Sequence, residues 1–245
     1  MKVLDQILQK LREGKVHMTL IDPAAQKPEE AGERAFEATL AGTDAVMVGG
    51  STGVTPEAAD ETCLQIKERT RLPLILFPGG AAALSRHADA LYFMSLLNSR
   101  NVRYLVGEQR RATLLVKKWG LETIPMGYII VAPGMRAAEV GEADVVSREV
   151  PREAVEYALA AEYFGMRLVY LEAGSGAPAP VPTAVITAVK EHLAIPLVVG
   201  GGIRTPEAAR AVAEAGADIV VTGTVMEETR DPALLARIVE AVKLR

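Results

Sequence analysis

Short apolar runs alternate with longer amphipathic stretches along almost the whole chain. The runs have the length and the β-branched content that are typical of buried parallel strands. They span residues 16–21, 44–48, 74–77, 90–94, 126–131, 168–171, 196–199 and 218–221. Because strands that alternate with helices are joined by right-handed crossovers, this pattern predicts a parallel sheet with helices packed on it.

Capping residues mark where several of the intervening helices should begin. Thr55-Pro56-Glu57 and Thr205-Pro206-Glu207 each place a hydroxyl before a proline in the first turn, and Asp231-Pro232 starts the final helix. Residues 104–119 also have helical spacing. Residues 81–88, after the third strand, are too few for a complete crossover helix. We therefore expect an irregular element there.

The number of strands favours an α/β fold of the (β/α)8 TIM-barrel type, which leaves no sheet edge open. A doubly wound open sheet is the alternative. It would place a glycine-rich fingerprint after the first strand, where Asp22-Pro23 stands instead. No linker composition divides the chain, so residues 1–245 are predicted to form a single domain.

Composition narrows the classes of function. The net charge of -4 and the pI of 5.6, without basic runs, give no reason to expect a nucleic-acid partner. A single cysteine, Cys63, excludes an intramolecular disulfide and is expected to be buried in a helix. No apolar stretch reaches the ~18 residues that a bilayer span needs, and the first 15 residues do not resemble a signal peptide. We expect a soluble, cytoplasmic protein without a transmembrane segment.

The turn after the sixth apolar run is the most informative one. Tyr170 and Glu172 stand where the strand gives way to Gly174-Ser175-Gly176. Glycines let backbone N–H groups approach an anion closely, and phosphate is a common ligand of such turns. The alternative is an ordinary β-to-α connection in which the glycines only turn the chain.

Two later turns strengthen the interpretation as a phosphate site. Gly200-Gly201-Gly202 and Gly223-Thr224 follow the seventh and eighth strands, where barrels of this type commonly bind phosphate. Arg204 is either a further phosphate ligand or a solvated charge. Asp22, after the first strand, is suited to a hard divalent cation with help from a hydroxyl such as Ser51. Alternatively, Asp22 is a turn aspartate before Pro23.

Several motifs together resemble a known family. They are residues 19–23 (TLIDP), 48–51 (VGGS), 93–99 (FMSLLNS), 170–176 (YLEAGSG), 199–204 (VGGGIR) and 222–224 (TGT). In this order they resemble the geranylgeranylglyceryl phosphate synthases and the related bacterial heptaprenylglyceryl phosphate synthases, from the first strand to the eighth. Residues 126–131 (MGYIIV) are similar to the archaeal branch.

The resemblance implies a modified phosphate-binding barrel with an irregular third helix and a prenyltransferase activity. The family transfers a C20 group from geranylgeranyl diphosphate to the 3-hydroxyl of sn-glycerol 1-phosphate, which forms the first ether bond of archaeal membrane lipids. It implies Mg2+ as cofactor, with Asp22 and Ser51 as its ligands. The glycerol phosphate positions carried over are Tyr170, Leu171, Glu172, Ala173, Gly174, Ser175, Gly176, Gly201, Gly202, Gly223 and Thr224.

The implied chemistry assigns roles to three side chains. Glu172 is expected to accept the proton of the glycerol hydroxyl, and Asp22 to hold the Mg2+ that neutralises the departing diphosphate. The family places an aromatic residue near position 104 in archaeal C20 enzymes and a small one in bacterial C35 enzymes. Tyr104 is therefore the candidate for the end of the prenyl groove. Alternatively, it packs against the barrel as a helix-start aromatic.

Other functions remain open at this level. A phosphosugar isomerase or synthase would use the same phosphate turns, and a non-catalytic phosphate-binding barrel would need no acids at the strand ends. We also expect a homo-oligomer, since helix 104–119 is rich in apolar residues, although these side chains would equally cover the barrel. Transient contact with a membrane surface is expected for release of the lipid product.

Overall fold

The protein is described here from a computed structural model, which covers residues 1–50, 53–223 and 231–244. In these ranges the chain forms a closed barrel of eight parallel strands in chain order, and β8 pairs with β1 through Thr222 opposite Thr19. The predicted (β/α)8 barrel is confirmed. The strands are β1 Val16–Ile21, β2 Ala45–Val48, β3 Leu74–Leu76, β4 Ala90–Leu96, β5 Glu122–Ile130, β6 Leu168–Glu172, β7 Leu197–Gly200 and β8 Ile219–Thr222.

Helices surround this barrel. Within the described ranges they are α1 Val3–Glu13, α2 Pro28–Leu40, α3 Pro56–Arg69, α4 Glu108–Trp119, α5 Met135–Gly141, α6 Pro151–Tyr163, α7 Thr183–His192, α8 Pro206–Glu214 and α9 Pro232–Val242. The predicted caps are present: Thr55, Thr205 and Asp231 each accept a backbone N–H of the first turn. None of the helices described here combines the length and the apolar character that crossing a membrane requires.

Three elements differ from a regular barrel or from the expected bounds. A single 3-10 turn, Ala81–Ala83, follows β3, so the predicted irregular element is confirmed. The helix predicted from residue 104 instead begins with a five-residue π-helix, Arg103–Gly107, before α4. The polar stretch after β5 contains the short helix α5. The last two depend on packing around the open end of the barrel, which local spacing does not encode.

The core has an inner and an outer layer because side chains alternate along each strand. Met18, Met47, Tyr92 and Met126 belong to the cluster inside the barrel and are almost fully buried. The helix faces toward the barrel are rich in alanine, for example Ala154, Ala158 and Ala161 of α6. Small side chains let these helices lie close to the strands. Cys63 is fully buried on α3, as predicted.

Carboxylates at the N-terminal end of the barrel have structural roles. Glu122 accepts hydrogen bonds from the N–H groups of Val3 (2.6 Å) and Leu4 (3.1 Å), which caps α1 over the barrel bottom. Three aspartates accept the N–H group of the first or second residue of a neighbouring strand and also pair with lysine: Asp44, Asp89 and Asp218. These acids are fully engaged in holding strands together. Candidate chemistry therefore lies at the opposite end.

Candidate active site

A cavity of about 370 Å³ opens at the carboxyl ends of the strands. Its polar end is lined by Asp22, Glu172, Ser175, Gly201, Gly202, Arg204 and Gly223. Its other part, here called the apolar arm, runs between the 3-10 turn, β4 and the start of α4. The arm is lined by Ala81, Leu84, Leu91, Phe93, Tyr104 and Ala112. One cavity thus joins a polar end to an apolar arm.

Four aromatic rings pack beneath the polar end. Phe77 stacks on Tyr170 with ring centroids 5.3 Å apart, and it meets Tyr128 edge to face at 5.4 Å. Tyr92 lies deeper and donates its hydroxyl to the sulfur of Met18. These rings come from β4, β5, β6 and the end of β3. They exclude water below the polar end, and the hydroxyls of Tyr128 and Tyr170 point toward that end.

Glu172 accepts a hydrogen bond from each of those hydroxyls. Its carboxylate accepts hydrogen bonds from Tyr128 and Tyr170, and from the N–H of Gly174 at 2.6 Å. The side chain is only 6% exposed. Burial raises the pKa of Glu172 from its usual 4.5 to about 7, although the three hydrogen bonds oppose the shift. A group with this pKa can accept a proton near neutral pH.

The glycines after β7 let the polar end close tightly around Glu172. A side chain at Gly200 would collide with the hydroxyl of Tyr170. Gly201, at φ +83°, lies against the Glu172 carboxylate and Gly174, since an added Cβ would be 2.7 Å from the Gly174 nitrogen. Gly202, at φ +70°, faces the Ala179 carbonyl in the same way. Positive φ and close backbone contact both require glycine at these two positions.

Asp22 stands on the same cavity, directly after β1. The N–H of Ala24 donates to its Oδ1 at 2.8 Å. Burial raises the pKa of Asp22, and the hydrogen bond from Ala24 opposes that rise. Gly50 lies so close that any side chain there would strike the carboxylate. The arrangement keeps a partly desolvated carboxylate on the cavity wall. A bound cation would lower the free-energy cost of its negative charge.

The remaining sequence-predicted residues divide between the cavity and its surroundings. Ser175, Gly223 and Tyr104 line the cavity, as does Arg204, which also donates to the carbonyl of Ala177 at 2.5 Å. Leu171 and Ala173 have the opposite orientation: their side chains are buried in the cluster between barrel and helices. Gly176 is not in the cavity wall. Ser51 and Thr224 lie outside the described residues.

Sequence reasoning missed several polar side chains of the cavity wall, among them Tyr128, Glu108 and Gln109. The alternation of β5 gave a signal for Tyr128, because it follows Met126 by two positions on an inward-facing register. Glu108 and Gln109 had no such signal, since a helix start offers many polar positions. Across the described ranges, no group of three or more His, Cys, Asp or Glu residues is arranged to hold a metal.

Comparisons of the sequence with known proteins identify a family and similar enzymes. Residues 8–242 match the sequence model of the PcrB family. A geranylgeranylglyceryl phosphate synthase from Thermoplasma acidophilum is 51% identical over 244 residues, which cover 99% of this chain and 96% of the relative. The protein of the same name from Methanosarcina barkeri is 52% identical over 244 residues, with coverages of 99% and 96%.

Solved structures show the same relationship. The crystal structure of (S)-3-O-geranylgeranylglyceryl phosphate synthase from T. acidophilum, in complex with sn-glycerol-1-phosphate, superimposes with a TM-score of 0.97 at 50% identity, over 100% of both chains. The tryptophan synthase alpha chain from Legionella pneumophila superimposes with a TM-score of 0.64 at 19% identity, over 99% of this chain and 97% of that chain. The latter similarity concerns the barrel fold alone.

Proposed function

This chain belongs to the PcrB family, and from that premise we propose that it is a geranylgeranylglyceryl phosphate synthase. The donor is geranylgeranyl diphosphate, and the acceptor is the 3-hydroxyl of sn-glycerol 1-phosphate. The product carries the first ether bond of archaeal membrane lipids. The observation that carries the proposal is the two-part cavity, in which a buried carboxylate among glycine-rich turns leads directly into an apolar arm.

The polar end suits glycerol phosphate. The turns at Gly174 and at Gly201-Gly202 have positive φ angles, which bring backbone close to a ligand with no side chain in between. Ser175 and Arg204 add a hydroxyl and a positive charge to the same wall. These groups recognise a phosphate and place the glycerol hydroxyls toward Glu172.

Glu172 is the proposed general base. The 3-hydroxyl oxygen attacks the first carbon of the prenyl group, the bond from that carbon to the diphosphate oxygen breaks, and its electron pair leaves with the diphosphate. The hydroxyl proton passes to the carboxylate of Glu172, whose pKa of about 7 suits the transfer. Tyr128 and Tyr170 orient the carboxylate through their hydrogen bonds.

We further propose that Asp22 is the side chain that would hold Mg2+ when the donor's diphosphate is bound. One protein carboxylate is enough for such a site, because Mg2+ keeps several waters and is commonly completed by substrate phosphates. When bound, the ion neutralises charge on the leaving diphosphate. The raised pKa of Asp22, which burial causes, fits this role because a neighbouring cation stabilises the ionised form.

A product assay tests the proposal. The full chain is incubated with C15, C20 or C35 diphosphates and either enantiomer of glycerol phosphate, with Mg2+ or with a chelator, and the ether products are identified by mass. We expect the C20 ether of sn-glycerol 1-phosphate, formed only with Mg2+. A preference for the C35 donor would identify a heptaprenylglyceryl phosphate synthase instead. Absence of any ether product, with glycerol phosphate still bound, would reject prenyl transfer.

A further inference from the structure

Glu108 is a buried carboxylate on the wall of the apolar arm that neither the proton transfer nor the metal site uses. It is the first residue of α4, and only 8% of it is exposed. An apolar arm offers little hydration to a charge, so a carboxylate is costly there unless it is fully hydrogen-bonded. Its partners therefore indicate what it does.

Those partners belong to two segments of the arm. The N–H of Ala81, the first residue of the 3-10 turn after β3, donates to Oε2 at 2.8 Å. Arg103 Nε donates to Oε1 at 2.7 Å, and Arg111 Nη1 donates to the same oxygen at 3.1 Å. Gly80 packs directly on the carboxylate, since an added Cβ would lie 3.0 Å from Oε2. One side chain thus joins segments 27 residues apart in sequence.

The contact with Arg103 extends to Tyr104. The Arg103 guanidinium carbon lies 5.4 Å from the centroid of the Tyr104 ring. The backbone of Tyr104 is held separately, because Gln109 Nε2 donates to its carbonyl at 3.2 Å. Glu108 therefore restrains the Tyr104 ring through Arg103 and restrains the 3-10 turn directly. Both Tyr104 and Ala81 line the arm.

We propose that Glu108 is a positioning residue for donor specificity, which holds the Ala81 segment and Tyr104 at a fixed separation and so limits the prenyl length that the arm admits. The inference rests on the proposed prenyl transfer. The geometry needs a carboxylate and not an amide: one oxygen faces a backbone N–H and the other faces two guanidinium groups. In Glu108→Gln, an NH2 group replaces one of the two carboxylate oxygens. This group would face a hydrogen-bond donor, either the backbone N–H or the guanidinium groups, and could not accept from it.

The test is the donor preference of Glu108→Gln, measured as kcat/KM for the C20 diphosphate divided by kcat/KM for the C35 diphosphate. We expect this ratio to fall by about tenfold or more, a size usual for altered pocket fit. The change should appear in the KM of the two donors, with kcat for the C20 donor and KM for sn-glycerol 1-phosphate within about threefold of wild type.

Two further variants separate positioning from general destabilisation. Arg103→Ala removes the link to Tyr104 while the Ala81 contact stays, and it should shift the ratio in the same direction. Glu122→Gln is the matched control, because Glu122 also accepts two backbone N–H groups but lies at the other end of the barrel. It should lower the melting temperature and leave the ratio unchanged.

The outcomes are distinct from those for the proposed function. If wild type forms no C20 ether, prenyl transfer itself fails. If wild type is active, and Glu108→Gln and Arg103→Ala both keep the wild-type ratio, the positioning role is wrong. An equal shift in Glu122→Gln would likewise reject it. If Glu108→Gln does not fold, Arg103→Ala decides the question alone.

Discussion

At the scale of single residues, the polar end holds two acids with different surroundings. Glu172 is buried among two tyrosine hydroxyls and a backbone N–H, and its pKa is raised to about 7. Asp22 lies on the cavity wall with one backbone donor, Ala24, and burial raises its pKa as well. The first environment suits a proton acceptor, and the second suits an ion-holding carboxylate.

Glu172→Gln should reduce kcat by roughly 10² to 10⁴, because the amide keeps the shape but cannot take a proton. For wild type, kcat/KM should rise with pH through about 7, the pKa of the carboxyl in the folded protein, and the variant should lose this rise. Steady-state rates from pH 5 to 9 check both statements. A variant that raises only KM and keeps kcat would show that Glu172 merely binds the glycerol hydroxyls.

The same pKa affects stability in a defined direction. Because the folded-state pKa of about 7 exceeds the usual 4.5, the contribution of Glu172 to stability is complete below pH 4.5 and is lost as pH rises through 7. At about 1.4 kcal/mol per pKa unit, the loss is about 3 kcal/mol. The free energy of unfolding of Glu172→Gln, compared with that of wild type, should therefore be higher at pH 8 than at pH 4.5. Urea unfolding of both proteins at the two pH values measures this difference.

Asp22→Asn should reduce turnover by about a hundredfold or more, since metal stabilisation of the leaving diphosphate is worth several kcal/mol. The asparagine oxygen can still accept the N–H of Ala24, so the fold and the binding of sn-glycerol 1-phosphate should persist. Turnover and calorimetric binding are measured on the same preparation. Near-normal turnover in the folded variant would remove Asp22 from the proposed metal site.

At the scale of elements, the segment that leads into α4 shapes the apolar arm. The π-helix Arg103–Gly107 is wider than an α-helical turn, and such turns frequently occur at functional sites. It brings Tyr104 to the cavity wall, while Ser95 donates its hydroxyl to the carbonyl of Leu105 at 2.7 Å and ties the turn to β4. The 3-10 turn after β3 leaves room for the arm where a full helix would fill it.

If Tyr104 ends the apolar arm as predicted, Tyr104→Ala should allow the C35 donor to react with the C20 rate unchanged, because the aromatic ring that blocks the longer chain is removed. Tyr163→Ala is a suitable control, since Tyr163 is 78% exposed at the end of α6 and does not line the cavity. Product analysis with both donors decides the matter. A stable Tyr104→Ala protein that still refuses the C35 donor would show that Tyr104 does not set the length. If Tyr104 only packs against the barrel, the variant would lose ~3 kcal/mol of stability and gain no product.

At the scale of the whole molecule, the apolar residues of α4 and of the segment before it divide into two groups. Val116 packs on the barrel and is only 6% exposed, whereas Leu114 is 82% exposed. Val102 and Val106, just before α4, are also exposed. These three residues and Leu115 are apolar side chains that the barrel leaves exposed, which favours contact between subunits.

We expect a homo-oligomer in solution, and Leu114→Glu should lower its mass because a charge at the contact is costly to bury. Light scattering at micromolar concentration measures the mass directly. Leu40→Glu is the control, since Leu40 is 73% exposed on α2. A wild-type particle of 26.1 kDa alone would contradict the expectation.

The sequence by itself determined the architecture and the acids at the strand ends. Eight apolar runs separated by capped helices leave few arrangements other than a closed barrel, and the short segment after β3 already indicated an irregular element. Asp22, Glu172 and the glycine turns were recognisable because a strand end and its following turn are adjacent in the chain. Alternation along β6 also indicates that Tyr170 and Glu172 face one side, while Leu171 and Ala173 face the other.

Only the tertiary structure decided which groups share the cavity and how each is held. Tyr128 meets Glu172 because β5 and β6 pair with Tyr128 opposite Tyr170, a register that neither strand specifies alone. Glu108 joins Ala81 across 27 residues, and nothing in the local pattern marks that contact. The raised pKa of Glu172 also depends on the tertiary structure, because it results from burial by neighbouring elements. Hydrophobic periodicity is a local property, whereas desolvation and hydrogen bonding at a site depend on every element that packs around it.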